Sequence, residues 1–253
     1  YSGNTEETLS AAEEAFRRGC PLIAVTTGGE LARRAQAWGI PLIAFDYPAQ
    51  PRECLGYSLL LLVGALVRLD LLPDPTPEIE GSIATLERLR AEIAREVPLE
   101  QNPAKELAHW LYGGFAYVFG AGRLAPVARR WKGQLNENSK AWACFEELPE
   151  LDHNVVAGTF NPAGFAGQVR VLFLSSDYDH PRNRLRQDVT RAIFEQAGAP
   201  CRTIAARGDS PMAQVLSSVL LGDITSYYLA MLYGADPTVI PAIHALKAAL
   251  AKA

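Results

Sequence analysis

The sequence predicts an α/β protein in which parallel strands form sheets that are covered by helices. Two short apolar runs, residues 21–27 and 41–45, are bounded by glycine and proline and separated by a segment with helical spacing. Such runs are typical of parallel strands buried on both faces. A third run, residues 169–176, is the clearest strand in the chain, and a helical pattern follows it. The same strand–helix alternation therefore occurs in both halves.

The first element is a predicted helix from Thr5 to Gly19. Leu9, Ala12 and Phe16 recur at helical spacing, and two glutamates occupy the first turn, where carboxylates suit the helix dipole. Thr5 is the expected N-cap. A second helix is expected over residues 30–38, between the first two strands.

The middle of the chain is predicted to contain the end of a first domain and a segment that connects it to a second. Residues 52–71 are long and apolar enough for a buried helix, and two prolines within residues 74–77 then break the chain. Residues 78–96 have the charge pattern of an exposed helix. We therefore expect a first domain over residues 1–74, a connecting helix and linker over 75–100, and a second domain over 101–253 that ends in a C-terminal helix.

The second half repeats the logic of the first. Asn102 and Pro103 are suited to the cap and first position of a helix that continues to Tyr112. The remaining predicted elements are strands at 116–119, 169–176 and 201–205, and helices at 124–135, 181–196, 210–232 and 237–252.

Composition excludes several classes of function. The 253 residues carry a net charge of −4 and 49% hydrophobic side chains, which is typical of a globular enzyme and not of a nucleic-acid-binding protein. The longest apolar run, Leu59 to Val67, is too short to cross a bilayer. We therefore expect a cytoplasmic protein with no nucleic-acid or membrane partner. Four scattered cysteines without a CxxC pair favour buried, reduced thiols.

The opening residues have the chemistry of a phosphate-binding turn. Ser2, Asn4 and Thr5 offer short polar side chains, Gly3 permits an unusual backbone conformation, and a helix begins at once. Exposed N–H groups at the positive end of a helix bind phosphate. An ordinary capped helix after a turn has the same pattern, so the residues alone leave both interpretations open.

The run YSGNTEET at residues 1–8 resembles the signature of the sugar isomerase (SIS) domain, and specifically that of the bifunctional phosphoglucose/phosphomannose isomerases. Further stretches are similar to the same family and occur in its order. They are Gln50-Pro51-Arg52 with Gly56-Tyr57, the run KGQLNENSK at 132–140, the run ELPELDHN at 147–154, and Asp236-Pro237-Thr238 followed by Lys247.

The resemblance implies two tandem SIS domains, each a parallel sheet flanked by helices in a three-layer αβα arrangement. Family members carry further strands before the signature, so we expect the first domain of this chain to be truncated at its N-terminus. The implied activity is aldose–ketose isomerisation of glucose 6-phosphate, and of mannose 6-phosphate, by ring opening and proton transfer through a cis-enediol. It requires no metal and no organic cofactor. The implied assembly is a homodimer with shared active sites.

The resemblance also assigns roles to residues. Glu137 would be the base, and its neighbours Asn136 and Asn138 favour this role over that of a solvated helix-end carboxylate. His153 would open the ring from the neighbouring subunit, although Val155 stands where the family has an acid.

Three further residues and the opening turn complete the expected site. Arg52 would stabilise the enediolate, Lys247 would assist at the ring oxygen, and Thr238 would leave room for the C2 epimer. Ser2, Asn4 and Thr5 would bind the phosphate.

Two other functions compete with the isomerase. The first is a non-catalytic SIS module that senses a sugar phosphate, which the pair Glu137 and His153 disfavours. The second is a single-SIS enzyme of amino-sugar or sedoheptulose metabolism, which the NEN and ELxHN runs disfavour.

Overall fold

The structure, a computed structural model, describes residues 1–159 and 161–250, except for the side chain of His244. It divides into two compact units, Tyr1–Asp74 and Pro75–Ala253, and each is described by itself. The α-helices are α1 Glu6–Arg17, α2 Gly29–Trp38, α3 Leu55–Arg68, α4 Thr76–Glu92, α5 Pro103–Leu111, α6 Ala125–Glu137, α7 Pro181–Gln196, α8 Pro211–Leu232 and α9 Pro241–Leu250. The strands are β1 Ala24–Thr26, β2 Leu42–Ala44, β3 Phe115–Ala121, β4 Ala143–Leu148, β5 Val169–Ser175 and β6 Cys201–Ala205.

The first unit contains a two-stranded parallel sheet in which Ala24 pairs with Leu42. Helix α2 connects the two strands, as predicted, and buries Leu31 and Ala35 against Ala24. The predicted strand runs are confirmed, but the paired strands are only three residues long: β1 begins at Ala24, three residues after Pro21, and β2 begins at Leu42, directly after Pro41.

Helix α3 differs from the prediction of a buried helix over residues 52–71. It begins at Leu55, and none of its residues is buried in the described chain. Leu62 and Leu66 are 53% and 37% exposed. The physical reason is size: strands of three residues offer less surface than a 14-residue helix of about 21 Å could cover.

The second unit is built on a four-stranded, entirely parallel sheet with strand order β4-β3-β5-β6. Both faces of its central strands are buried. Phe119 and Phe173 belong to a core cluster that contains Phe194 of α7. The alternate residues Val118 and Leu172 face the opposite side and are also fully buried. The predicted arrangement of a parallel sheet flanked by helices is confirmed.

Helix α8 forms the helical core on one side of this sheet. It is long and apolar enough to span a membrane by length and composition, but half of the apolar window is buried against other elements of the unit, which include α4, α5 and α6. Trp131 of α6 is 1% exposed and donates a hydrogen bond to the Ser218 carbonyl at 2.8 Å. Residues 75–100 are part of this unit, because α4 packs along α8 and buries Thr85 and Leu89.

The structure differs from the sequence analysis at one strand and at two cysteines. Strand β4 was not predicted, because it lies at the sheet edge and its sequence includes Glu146 and Glu147, which face partly outward. Of the cysteines, Cys54 is buried and Cys201 half-buried, but Cys20 and Cys144 are exposed.

Candidate active site

The turn over residues 1–5, which we call the phosphate turn, has a backbone that requires glycine. Gly3 has a φ of +70°, and a Cβ at this position would lie 2.0 Å from the Gly28 carbonyl oxygen. Ser2, Asn4 and Thr5 are exposed. Thr5 occupies the N-cap position of α1, as predicted, but its side chain makes no capping hydrogen bond. The first N–H groups of α1 therefore point toward the turn without a partner from the cap residue.

Asn4 has a structural role that the sequence did not reveal. Its Oδ1 accepts a hydrogen bond from Glu30 N at 2.9 Å, and the Gly3 carbonyl accepts one from Leu31 N at 2.9 Å. The phosphate turn thus accepts hydrogen bonds from two N–H groups in the first turn of α2, and it also leads into α1. Since Oδ1 is engaged, the side chain of Asn4 offers an anion its Nδ2 donors.

Tyr1 connects the phosphate turn to the segment that carries Arg52. Its hydroxyl lies 2.6 Å from the carbonyl oxygens of both Tyr47 and Ala49. Arg52 follows in a 3-10 turn, Pro51–Glu53, rather than at the head of a buried helix, and it is half-buried. Thr27, directly after β1, donates its N–H to the Tyr1 carbonyl at 2.9 Å, and the Arg52 segment follows β2. The first unit therefore brings the phosphate turn and Arg52 to the carboxyl edge of its sheet.

The N-terminus of α2, which contacts the phosphate turn, carries an ion-pair cluster. Hydrogen bonds from Arg33 and Arg34 lower the pKa of the Glu30 carboxyl to about 2. Arg34 also pairs with Glu13 at 2.9 Å. These guanidinium groups offset the carboxylate of Glu30 at the N-terminus of α2 and that of Glu13 in the second half of α1.

Glu137 is the last residue of α6 and is half-buried. Its neighbours have structural partners, so their presence does not by itself favour a base over a helix-end carboxylate. Asn136 Nδ2 donates to the Ala141 carbonyl at 2.8 Å, and Asn138 Nδ2 donates to Ser226 Oγ at 2.9 Å. The NEN run therefore fixes the end of α6 against α8 and the following loop.

Thr238 lies in a loop that is tied to the end of α6. Lys140 Nζ donates to the carbonyl of Glu137 at 2.9 Å and to that of Asp236. Asp236 Oδ1 in turn accepts from Thr238 N at 2.8 Å. The structure thus places Thr238 at the same sheet edge as Glu137.

His153 ends a 3-10 turn, Glu150–His153, that directly follows β4, and it is exposed. The turn is held from both sides, because Leu151 is fully buried and Asp152 accepts a 2.8 Å hydrogen bond from Thr190. Val155 packs against the core cluster of the sheet. Its apolar character is thereby explained in this chain.

Glu137 and His153 of one chain lie at opposite edges of the second sheet. Helix α6 runs from β3 back to the start of β4, so Glu137 lies at the amino edge. His153 follows the carboxyl end of β4. A strand of six residues, Ala143–Leu148, separates the two edges by about 17 Å.

Lys247 lies on α9, where every residue whose side chain is described is exposed. Leu246 and Leu250 are 59% and 63% exposed. The structure brings no geometric support of its own to the expected role of Lys247. Within residues 1–159 and 161–250, no group of three or more His, Cys, Asp or Glu side chains could hold a metal ion.

Comparisons with known proteins identify the family of this chain. Residues 100–250 match the model of the bacterial phospho-glucose isomerase C-terminal SIS domain. The whole chain is 40% identical to a bifunctional phosphoglucose/phosphomannose isomerase from Caldicellulosiruptor bescii and covers 75% of it. It is 36% identical over its full length to the protein of the same name from Aquifex aeolicus, of which it covers 74%.

Solved structures show the same fold at lower identity. Tagatose-6-phosphate ketose/aldose isomerase from Escherichia coli superposes with a TM-score of 0.71 at 14% identity, over 94% of this chain and 69% of that one. A hypothetical protein from Thermus thermophilus superposes with a TM-score of 0.72 at 17% identity, over 99% and 69%. The fold match, the family model and the full-length identities lead to one conclusion: this chain belongs to the family of bifunctional phosphoglucose/phosphomannose isomerases.

Proposed function

We propose that this protein interconverts glucose 6-phosphate and mannose 6-phosphate with fructose 6-phosphate. The observation that carries this proposal is the 40% identity, over the whole chain, to a relative named as a bifunctional phosphoglucose/phosphomannose isomerase. The exposed phosphate turn and a half-buried carboxylate at the end of α6 supply the two chemical functions that the reaction needs: an anion site and a base.

In the proposed reaction, the Glu137 carboxylate removes the proton from C2 of the open-chain aldose. The electron pair of that C–H bond forms the C1–C2 double bond of an enediolate, and the aldehyde oxygen takes up the charge. A proton then passes from the C2 hydroxyl to the C1 oxygen, and Glu137 returns its own proton to C1. The electrons of the C1–C2 double bond form the new C1–H bond while the C2 oxygen becomes the ketone carbonyl. A base positioned in this way contributes about 10²–10⁴-fold to the rate.

The other residues have supporting roles in this proposal. Ser2, Thr5 and the Nδ2 donors of Asn4 bind the phosphate at the N-terminus of α1. Arg52 stabilises the enediolate charge, since a fixed cation lowers the energy of a developing anion. Lys247 assists at the ring oxygen.

In this proposal Thr238 determines whether both C2 epimers, glucose 6-phosphate and mannose 6-phosphate, are accepted. Its short side chain would leave room for rotation about C2–C3, which presents either face of C2 to the base. Thr238 is exposed beside the end of α6, which is consistent with this role.

We further propose a homodimer in which His153 of each chain opens the ring at the partner's site. The opposite edges on which Glu137 and His153 lie support this arrangement, because about 17 Å of strand separates them within one chain. His153 is exposed and so can reach a neighbouring chain.

A cytoplasmic location, without a nucleic-acid or membrane partner, is part of the same proposal. The net charge of −4 offers no field for a polyanion, and the long apolar helix α8 packs within its own unit.

The test is a coupled assay that measures the formation of glucose 6-phosphate from fructose 6-phosphate, repeated with mannose 6-phosphate as substrate. Glu137→Gln should lower kcat by about 10²–10⁴-fold, because the amide cannot accept the proton, while calorimetry should still detect fructose 6-phosphate binding. Glu106→Gln, which alters an exposed carboxylate on α5, is the matched control and should retain activity.

Deuterium exchange provides an independent measurement. In D₂O, an enediolate mechanism exchanges the C2 proton of glucose 6-phosphate with solvent, and Glu137→Gln should stop this exchange. If the variant still exchanges deuterium at the wild-type rate, Glu137 is not the base.

A further inference from the structure

The end of helix α6 is closed by a side chain from outside the helix. The last carbonyl groups of a helix have no intrahelical donor and must be satisfied in another way. Lys140 has a φ of +53°, in the left-handed region that L-residues rarely adopt. This backbone folds its side chain back, so that Nζ donates to the carbonyls of Glu137 at 2.9 Å and Asn138 at 3.3 Å.

The same ammonium group also reaches a second segment. Its Nζ donates to the carbonyl of Asp236, which lies 96 positions further along the chain in the loop after α8. An ammonium group has three protons to donate, and three main-chain carbonyls surround this one. Lys140 therefore connects the segment that carries Glu137 with the segment that carries Thr238.

The Asp236 loop is itself organised around this contact. The hydrogen bond from Thr238 N lowers the pKa of the Asp236 carboxyl, and the charge of Lys140 lowers it further. The side chain of Asp236 thus holds Thr238, while its main-chain carbonyl is held by Lys140. A shift of the ammonium group would be transmitted to Thr238 through one residue.

The end of α6 has other anchors that do not depend on Lys140. Asn138 Nδ2 donates to Ser226 Oγ at 2.9 Å, and Ser139 Oγ donates to the Ser226 carbonyl at 2.6 Å. Both Ser139 and Ser226 are buried. Because these bonds join α6 to α8, loss of the exposed Lys140 ammonium should leave the fold intact and change the alignment of the two segments.

We propose that Lys140 is a positioning residue that sets where the Glu137 base stands relative to the Thr238 loop, and thereby the preference between the two C2 epimers. The proposal rests on the function proposed above. It adds that catalysis and epimer preference depend on a group that does not touch the substrate. A misplacement of about 1 Å costs up to about 10²-fold in rate, so the effect is large enough to measure.

The experiment compares Lys140→Gln, Lys140→Arg and Lys140→Gly in the otherwise unaltered protein. Lys140→Gln should lower kcat by about 10-fold to 100-fold with little change in KM, and should change the ratio of mannose 6-phosphate to glucose 6-phosphate turnover at least about threefold. Lys140→Arg keeps a cationic donor and should recover part of kcat. Arg129→Gln removes an exposed cation from α6 and is the charge-matched control.

Lys140→Gly separates the ammonium group from the backbone. Glycine adopts a positive φ without strain, so this variant removes the side chain under the most favourable backbone conditions. Because Lys140 is exposed, added propylammonium should enter and restore activity several-fold. Tetramethylammonium, which has the charge but no N–H donor, should not.

The outcomes separate this proposal from the proposed function. If the wild type does not isomerise either substrate, both are overturned. If the wild type is active and Glu137→Gln is inactive, but the three Lys140 variants keep the wild-type kcat and epimer ratio, the positioning role alone is overturned. An equal loss of kcat for both epimers, with no rescue by propylammonium, would also overturn it. Lys140 would then only stabilise the end of α6.

Discussion

Complementation between two inactive variants tests the shared active site directly. Glu137→Gln removes the proposed base, and His153→Ala removes the proposed ring-opening group from the opposite edge of the second sheet. If each site combines Glu137 of one chain with His153 of the partner, a mixed dimer contains one site with both wild-type residues. Its other site has neither.

The expected magnitude follows from this geometry and from two-fold symmetry. Random reassortment of the two variants gives mixed dimers as about half of the population, and each has one intact site out of two. The mixture should therefore recover about one quarter of the wild-type kcat per chain. Mixed dimers purified through two different affinity tags should recover about one half.

A second pairing gives the opposite result and serves as the control. A wild-type chain paired with a chain that carries both Glu137→Gln and His153→Ala has no intact site if the residues come from different chains. It has one intact site if they come from the same chain. Activity is measured by coupled assay on tagged mixed dimers whose stability is verified by re-chromatography.

The reasoning is refuted if the first pairing is inactive and the second retains about half of the wild-type activity. In that case Glu137 and His153 of one chain would act together. The strand between them would then not separate the two groups, contrary to their places at the two ends of β4.

Two further predictions concern single side chains. Gly3→Ala should raise the KM for fructose 6-phosphate at least about 10-fold and lower the free energy of unfolding by about 1–3 kcal/mol, because its Cβ would lie 2.0 Å from the Gly28 carbonyl oxygen. Chemical denaturation and kinetics measure both, and Gly64→Ala, whose Cβ would meet nothing within 4 Å, is the control. Burial raises the pKa of the Cys201 thiol to about 12, so at pH 9 it should alkylate far more slowly than the exposed Cys144. The unfolded thiol ionises near pH 8.5 and the folded one near 12, so the free energy of unfolding should fall as pH rises through this interval, and this slope should be smaller in Cys201→Ala. The slope that remains above about pH 10 belongs to groups such as Tyr117, whose pKa burial also raises. Equal alkylation rates for the two thiols would contradict the assigned burial.

Apolar runs and caps made much of the fold predictable. The helix after Asn102 was expected from its cap and proline, and Asn102 Oδ1 does accept from Ala104 N and Lys105 N. Strand β5 was expected from an unbroken apolar run and lies in the middle of the sheet. Strand β4 escaped prediction because an edge strand needs fewer apolar residues, and charged side chains mask its periodicity.

The partners of the candidate site residues were not predictable in the same way. Asn138 bonds Ser226 and Lys140 bonds Asp236, which are 88 and 96 positions away. No local spacing carries this information, since it depends on how α8 packs against α6. The assignments of Glu137 and Thr238 came from resemblance, and their proximity became visible only in the fold.

Two turns that lead into helices differ in how their hydrogen-bond donors are used, and this difference bears on where a phosphate can bind. In the second unit, the turn after β5 leads into α7. Its donors are already used by protein acceptors: Ser176 N donates to Asp179 Oδ2 at 3.1 Å, and Ser176 Oγ donates to Gln214 Oε1 at 2.7 Å. Asp179 is only 8% exposed, and the side chain of His180 caps α7 by accepting from Arg182 N.

An incoming phosphate at that second turn would have to displace these acceptors and stand beside a buried carboxyl group. The phosphate turn of the first unit has the opposite character, because Ser2 and Thr5 are exposed and the side chain of Thr5 makes no capping bond to α1. Donors at a helix N-terminus bind an anion when nothing else satisfies them. On this physical ground the phosphate turn is better suited than the turn after β5 to hold an anion.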